Sequence, residues 1–244
     1  MIFAAGLGKR LLPLTETKPK ALVEVKNTPL LEITINKLKN SGFKEIVVNV
    51  HHFADQVIDF LKKKDHFGID IKVSDERDEL LDTGGGLKHA SWFFDDNKPF
   101  LIHNVDIISS LDLVALFDMH KSSGCLATMA VKNRQTQRYL IFNEDDLLCG
   151  WKNLKTGELK MTRSCHKILR PLAYSGIQVI SPEIFKLMPD KKVFSIIDLY
   201  LELAQDHEIS SYIHDNTFWM DLGKVDNIHT AEESYKQWNK KKSV

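Results

Sequence analysis

Cysteine is scarce in this chain, and the little there is falls in no useful pattern. Cys125, Cys149 and Cys165 are odd in number and show no C-x-x-C spacing, which argues against a disulfide framework or a cysteine zinc site and reads as three reduced thiols. Net charge is lacking too. The 33 basic residues balance 33 acidic ones, so no global field draws the chain to nucleic acid or to an anionic membrane. No apolar run approaches the ~20 residues that cross a bilayer. The N-terminus has no basic leader, and its Met1-Ile2-Phe3 serves a first strand instead. A cytoplasmic protein with no membrane partner is the expectation. Lys240-Lys241-Lys242 reads as a solvated tail.

Several chemistries are missing as motifs. There is no G-K-[ST] for a P-loop, and no third glycine for a dinucleotide fingerprint. His51-His52 has no third ligand at zinc spacing, H-E-x-x-H is absent, and so is the G-x-S-x-G elbow of Ser/His/Asp hydrolases.

What is present first is an alternation of strand and helix patterns. Pro29 suits the first turn of a helix through Leu30, Leu31, Ile35 and Leu38, with Gly42 behind it. Residues 45–50 are nearly all apolar, as in a strand buried on both faces. A helix over 54–63, a strand over 69–73, a short helix over 87–94 and a central strand over 100–102 follow. Ser110 or Asp112 caps a helix through Leu113, Leu116 and Phe117, and a strand covers 125–131. This order implies crossover connections and a mostly parallel sheet, in an α/β Rossmann-like fold flanked by helices. The second half changes character. Residues 139–142 and 147–151 flank Asn143-Glu144-Asp145-Asp146 as a β-hairpin subregion. Strands at 174–180, 209–213 and 218–220, a helix capped by Ser195 and a last helix over 230–240 complete the reading. No linker or internal repeat divides residues 1–244, so a single domain is expected.

The most informative stretch is 4–22, Ala4-Ala5-Gly6-Leu7-Gly8-Lys9-Arg10-Leu11-Leu12-Pro13-Leu14-Thr15-Glu16-Thr17-Lys18-Pro19-Lys20-Ala21-Leu22. Two glycines two apart permit left-handed backbone and close approach of a ligand. Bare N–H groups in such a turn form an anion nest. Lys9, Arg10 and Lys20 supply cations, Arg as a fork and Lys as a point charge. Together they suit a nucleoside triphosphate. Thr83-Gly84-Gly85-Gly86 is a second glycine cluster, costly in folding entropy, which expects a loop on which a planar base lies against bare backbone. His103-Asn104-Val105-Asp106 follows a strand, where ligands gather in open α/β sheets, and Asp106 there suits Mg²⁺. His103 itself reads as a hydrogen-bonded strand-end histidine.

The run 4–22 resembles the signature of sugar-nucleotide pyrophosphorylases, the nucleotidyltransferases that act on sugar 1-phosphates, at Gly6, Gly8, Arg10, Pro13, Leu14, Thr15, Pro19, Lys20 and Leu22. Lys9 stands where that family has Thr or Ser, and Val105 where it has the glycine of Asn-Gly-Asp. Leu81-Asp82-Thr83-Gly84-Gly85-Gly86-Leu87 looks like the base-binding loop of N-acetylmuramate 1-phosphate uridylyltransferases, a cell-wall recycling branch that uses UTP. The resemblance implies that Ala5, Gly6, Gly8, Lys9, Arg10, Lys20, Thr83, Gly84, Gly85, Gly86 and Asn104 bind the nucleotide, with Arg10 and Lys20 catalytic. It implies that Asp221, in Trp219-Met220-Asp221-Leu222-Gly223, is a second Mg²⁺ carboxylate beside Asp106. Tyr174-Ser175-Gly176-Ile177 resembles the family's sugar-bordering strand, so Ser175 and Gly176 are expected at the sugar, with Arg138 as a weaker choice. UTP and a sugar 1-phosphate are the expected partners, with no nucleic acid, in a monomer or homodimer. The left-handed β-helix of larger relatives has no counterpart here. Sister chemistries with dTTP, GTP or CTP stay open, as do a non-catalytic sugar-nucleotide-binding homologue and a dinucleotide-dependent oxidoreductase.

Overall fold

The structure is a computed structural model that describes residues 1–163 and 168–242, without the side chains at 232 and 235–242. The chain opens on β1 (Ile2–Phe3) and enters the 4–22 loop, which contains two single 3₁₀ turns, Lys9–Leu11 and Lys20–Leu22. A tight hairpin of β2 (Glu24–Val25) and β3 (Thr28–Pro29) follows, turning through Lys26 and Asn27. Next come α1 (Leu30–Asn40), β4 (Glu45–Val50), α2 (Ala54–Lys63), β5 (Asp70–Asp75), α3 (Asp82–His89), β6 (Phe100–Asn104) and β7 (Ile107–Ser109). Then α4 (Leu113–Ser123), β8 (Ala127–Lys132), β9 (Arg138–Phe142), β10 (Leu148–Asn153), β11 (Leu159–Met161) and β12 (Arg170–Ile180) run in turn. The chain ends through α5 (Ile196–Leu203), β13 (Ile209–Ile213), β14 (Trp219–Asp221) and α6 (Val225–Lys242).

Two compact units form. The first takes Met1–Leu80, His103–Asp112 and Thr217–Val244, and the second Leu81–Ile102 and Leu113–Asn216. In the first, the end of β6, then β1, β4 and β5 lie side by side, every pair parallel. Ile2 pairs with Val48 on one side and His103 on the other and is fully buried, while Phe3 is half-buried. β4 buries Ile46, Val47, Val48 and Val50, as its apolar run requires. α1 buries Leu30, Leu31, Ile35 and Leu38 and stops before Gly42, whose φ of 90° is one that glycine adopts freely. β7 pairs antiparallel with β14 in a separate two-stranded ladder.

The second unit is mainly antiparallel. β12 pairs with β8 and β9, β9 with β10, and β10 with β11, while β13 joins β8 in parallel. The expected hairpin is present: Asn143 Oδ1 accepts the Leu147 N–H at 2.8 Å, and Asp146 turns the chain with a φ of 64°. The Ser195 cap is also present, accepting the Ile197 N–H at 3.2 Å at the start of α5.

Two expectations need correction. The glycine cluster is not a loop: Thr83, Gly84, Gly85 and Gly86 lie in α3, ahead of the 87–94 helix expected there, and only a 3₁₀ turn, Ser91–Phe93, follows. Helix wins because 192–196 packs along it and takes its exposed polar groups. The three cysteines are not all thiols, since Cys149 is disulfide-bonded while Cys125 is free; Cys165 lies outside the described residues. The strands at β7 and β11 escape a sequence reading because each is only three residues long. Among the described residues, no helix is long and apolar enough to cross a membrane.

Candidate active site

The 4–22 loop starts where β1 ends, and its first amide is fixed by a side chain. The Ala4 N–H donates to Asn49 Oδ1 at 2.7 Å, and Asn49 Nδ2 donates to Glu76 Oε1 at 2.8 Å. Asn49 and Glu76 are both buried, at the carboxyl ends of β4 and β5. The loop then bends at Gly8, whose φ of 64° lies in the left-handed region. A side chain there would be excluded twice over, because an added Cβ would lie 2.9 Å from Thr15 Cγ2 and 3.2 Å from Lys20 Cβ. Thr15 closes the bend by donating its hydroxyl to the Gly8 carbonyl at 3.0 Å. Gly6 uses no such freedom; it is exposed, and a Cβ added to it would meet nothing within 4 Å. Lys9 and Arg10 project into solvent from the 3₁₀ turn, while Leu11 beside them is fully buried and anchors it. Ala5 is buried behind them.

Asp106 and Asp221 come together. The β7–β14 ladder pairs Asp221 with Ile107, and the Leu222 N–H donates to the Asp106 carbonyl at 2.8 Å. That ladder closes the long sequence separation and sets the two carboxylates at one place. Gly223 marks it. A Cβ added there would lie 2.5 Å from an Arg10 guanidinium nitrogen, 2.8 Å from Asp221 Oδ1 and 3.1 Å from Asp106 Oδ2. Only a glycine leaves that hollow open. Arg10 stands 3.9 Å from Asp221 Oδ2, and the Lys20 ammonium is bonded to Asp106 Oδ2. Lys20 and Asp106 are nearly buried side chains, whereas Arg10 is 60% exposed.

The hollow at Gly223 fits a hard divalent ion. Two carboxylate oxygens and an Arg10 guanidinium nitrogen border it; a magnesium ion binds through one or two carboxylates and completes its shell with phosphate oxygens and waters, so the exposed Arg10 has to turn aside as the ion is seated. Among the described residues no group of three or more His, Cys, Asp or Glu is placed to hold a metal ion by itself. Asn104 ends β6 in this unit, half-buried beside Phe3. His103 is the buried strand-end histidine the sequence suggested: Nδ1 lies 2.8 Å from the Asn104 carbonyl, and burial holds its pKa down to about 4.

The remaining residues belong to the second unit. Thr83, Gly84 and Gly85 are engaged in packing. The N–H groups of Gly84 and Gly85 donate to the Phe194 carbonyl at 2.9 and 3.2 Å, and Thr83 Oγ1 accepts the Ile196 N–H at 3.0 Å. A Cβ on Gly84 would lie 2.4 Å from the Phe194 ring, and one on Gly85 2.0 Å from the Lys192 carbonyl. The close approach of the 192–194 backbone to the helix accounts for glycine at 84 and 85. Gly86 is buried in the same helix. Ser175 is fully buried, with its hydroxyl 2.7 Å from His214 Nε2. Gly176 has a φ of 75° where the β12–β8 register shifts. Arg138 is exposed at the start of β9.

Thr15, Asn49 and Gly223 were not singled out for roles from sequence. A signal existed for Asn49: a polar side chain inside a doubly buried strand must find a partner. Thr15 and Gly223 sit inside recognisable motifs but act through shape, which only the folded loop reveals.

A turn that sets cations against paired carboxylates is an arrangement suited to a polyphosphate and a divalent ion. Residues 1–147 match the family model described as nucleotidyl transferase, and the chain belongs to that family, among the sugar-1-phosphate nucleotidyltransferases. It is 34% identical over 232 residues, 91% of this chain and 90% of the relative, to N-acetylmuramate alpha-1-phosphate uridylyltransferase of Caulobacter vibrioides. It is 30% identical to the mannose-1-phosphate guanyltransferase of Saccharomyces cerevisiae, over 92% of this chain but 61% of that one. Among solved structures, UDP-glucose pyrophosphorylase complexed with UDP-glucose superposes with a TM-score of 0.74 at 17% identity, covering 97% of both chains. A glucose-1-phosphate thymidylyltransferase from Bacillus anthracis, itself described as putative, gives 0.77 at 19% identity, covering 95% and 92%. The fold is thus the Rossmann-like nucleotidyltransferase fold with a mixed, mostly parallel central sheet flanked by helices, and the protein is an enzyme.

Proposed function

We propose that this enzyme transfers a uridylyl group from UTP to a sugar 1-phosphate, with N-acetylmuramic acid 1-phosphate as the first candidate. The observation that carries the reading is the convergence of Arg10, Lys20, Asp106 and Asp221 around the hollow at Gly223. The choice of UTP leans on the Caulobacter relative, matched over nine-tenths of both lengths.

A sugar-phosphate oxygen attacks the α-phosphorus in line. The bond from that phosphorus to the bridging oxygen breaks, and pyrophosphate leaves with the electron pair. The nucleophile is already an anion, so no side chain has to remove a proton. The protein's work is alignment and charge neutralisation. Gly8 shapes the turn, Lys9 and Arg10 hold the β- and γ-phosphates and the departing pyrophosphate, and Lys20 steadies the charge growing at the α-phosphate. Asp106 and Asp221 would hold Mg²⁺, which supplies further charge neutralisation at the phosphate oxygens when bound.

The test is pyrophosphate release by the purified enzyme, with four nucleoside triphosphates crossed against a panel of sugar 1-phosphates, with and without Mg²⁺. UTP with N-acetylmuramic acid α-1-phosphate should give the highest kcat/KM. GTP with mannose 1-phosphate outpacing it would replace the uridylyl reading with a guanylyl one, and no release with any pair would end the catalytic reading.

A further inference from the structure

Resting on the reading just given, we propose that Lys20 occupies the metal's place in the free enzyme, so that the divalent ion enters with the triphosphate and not before it. Two independent features of the site name the same atom. Asp106 Oδ2 is the oxygen bonded to the Lys20 ammonium, and it is also the Asp106 oxygen facing the hollow in front of Gly223. Both side chains are nearly buried, at 14% and 11% exposure, so water screens their attraction poorly. An ammonium bonded to that oxygen weakens its hold on a divalent cation, because like charges so close repel strongly in a partly dry site.

Lys20 therefore keeps Asp106 neutralised while no nucleotide is bound. A lone metal ion has to displace the lysine and leave it near a second positive charge with nothing to receive it. An arriving triphosphate changes that balance by giving the ammonium an anion to move to. Lys20 swings from carboxylate to phosphate, Asp106 Oδ2 becomes available, and metal and nucleotide favour one another's binding. Lysine suits this exchange as a compact charge on a flexible four-carbon stem. Arg10 plays no equal part: its contact with Asp221 is loose, at 3.9 Å, and it is largely exposed.

The experiment is a Mn²⁺ titration of nucleotide-free protein, followed by the electron paramagnetic resonance signal of the free ion. Unaltered enzyme, Lys20→Met, Lys20→Gln and the double variant Lys20→Met/Asp106→Asn are compared, with circular dichroism melting to show each is folded. Removing the lysine charge should tighten Mn²⁺ binding about tenfold or more, and the Asp106→Asn change should abolish the gain. Mn²⁺ affinity that stays the same or weakens in the folded lysine variants overturns the proposal. So does a gain that survives Asp106→Asn, since it would lie elsewhere. If Lys20→Met fails to fold, Lys20→Gln, which keeps a polar head beside Asp106, decides alone. The outcome is separable from the catalytic reading. An active unaltered enzyme with no affinity gain in the variants sinks only the lysine exchange. An affinity gain in a protein that releases no pyrophosphate sinks only the reaction.

Discussion

The two units treat buried polarity in opposite ways. In the first, the polar groups around the loop are charged and directed to one place: Lys20 on Asp106, with Arg10 and Asp221 across the hollow. In the second, one buried set is neutral and satisfies itself. His120 lies between Thr128 and Ser181, Thr128 meets Ser210, and His214 meets Ser175. Converging charges are poor stabilisers, because desolvation offsets much of their attraction; they are arranged for a ligand that completes them. A closed hydroxyl–imidazole chain needs no ligand and fixes the geometry of its strands. Substitutions in the first unit should therefore cost turnover, and substitutions in the second should cost stability.

The largest effect should fall on Lys20→Ala. Removing one preorganised charge-stabilising donor lowers turnover by about 10²–10³, and the melting temperature should fall as well, since the Asp106 carboxylate is left nearly buried without its partner. Steady-state pyrophosphate release beside a melting curve checks both halves. Near-normal turnover in a folded Lys20→Ala protein would remove the lysine from the chemistry. Gly223→Ala comes next. Its methyl would intrude among Arg10, Asp221 and Asp106 at 2.5 to 3.1 Å. Displacing catalytic groups by about 1 Å can cost about 10² in rate, and the Mg²⁺ concentration needed for half-maximal activity should rise. An unchanged Mg²⁺ requirement would show that the hollow is not where the metal binds.

Much of this contrast was legible in the chain. The loop 4–22 could be read as a phosphate turn because glycine spacing and cation placement are local properties. The parallel order of the first unit followed from apolar runs such as 45–50, and the hairpin of the second from Asn143 to Asp146. What lay beyond reading was pairing at a distance. Nothing local joins Asp106 to Asp221; the β7–β14 ladder does so, and although a strand was legible at 218–220, the three residues of β7 leave too short a pattern to detect. The cluster at Gly84 and Gly85 misled for the same reason. Glycine tells that something comes close, not what, and here it is the backbone of 192–194.

Gly85→Ala tests that reassignment from the second unit's side. The added methyl would collide with the Lys192 carbonyl at 2.0 Å, and both segments are backbone, so neither yields cheaply. Overpacking of this kind costs about 1–3 kcal/mol, seen as a lower urea midpoint. The KM for UTP of the folded fraction should stay as it was. A KM that rises with no loss of stability would restore the glycines to the nucleotide and break the division between the units.

The last effect, absent at neutral pH and growing only on acidification, is a dependence of stability on pH. Ser181 donates its hydroxyl to the Cys125 carbonyl at 3.0 Å, so toward His120 Nε2, 3.1 Å away, it must accept. That places the imidazole proton on Nε2 and makes Nδ1 the acceptor of the Thr128 hydroxyl at 2.9 Å. A second proton would reverse the chain at Thr128 and bury a cation among hydroxyls. Burial accordingly lowers the pKa of His120 to about 4, and that of His214 likewise to about 4. Both lie below the value of the unfolded chain, 6.5, so the unfolded state binds protons that the folded state refuses. Stability is then full above pH 6.5 and falls as pH drops toward 4. Each histidine accounts for about 2 kcal/mol at most by pH 5. Urea unfolding at pH 7.5 and pH 5 should show the loss, and His120→Gln should remove about one proton from the slope of stability against pH. A slope unaltered by His120→Gln would mean that the imidazole is charged in the folded protein, and the second unit would then not be the neutral counterpart of the first.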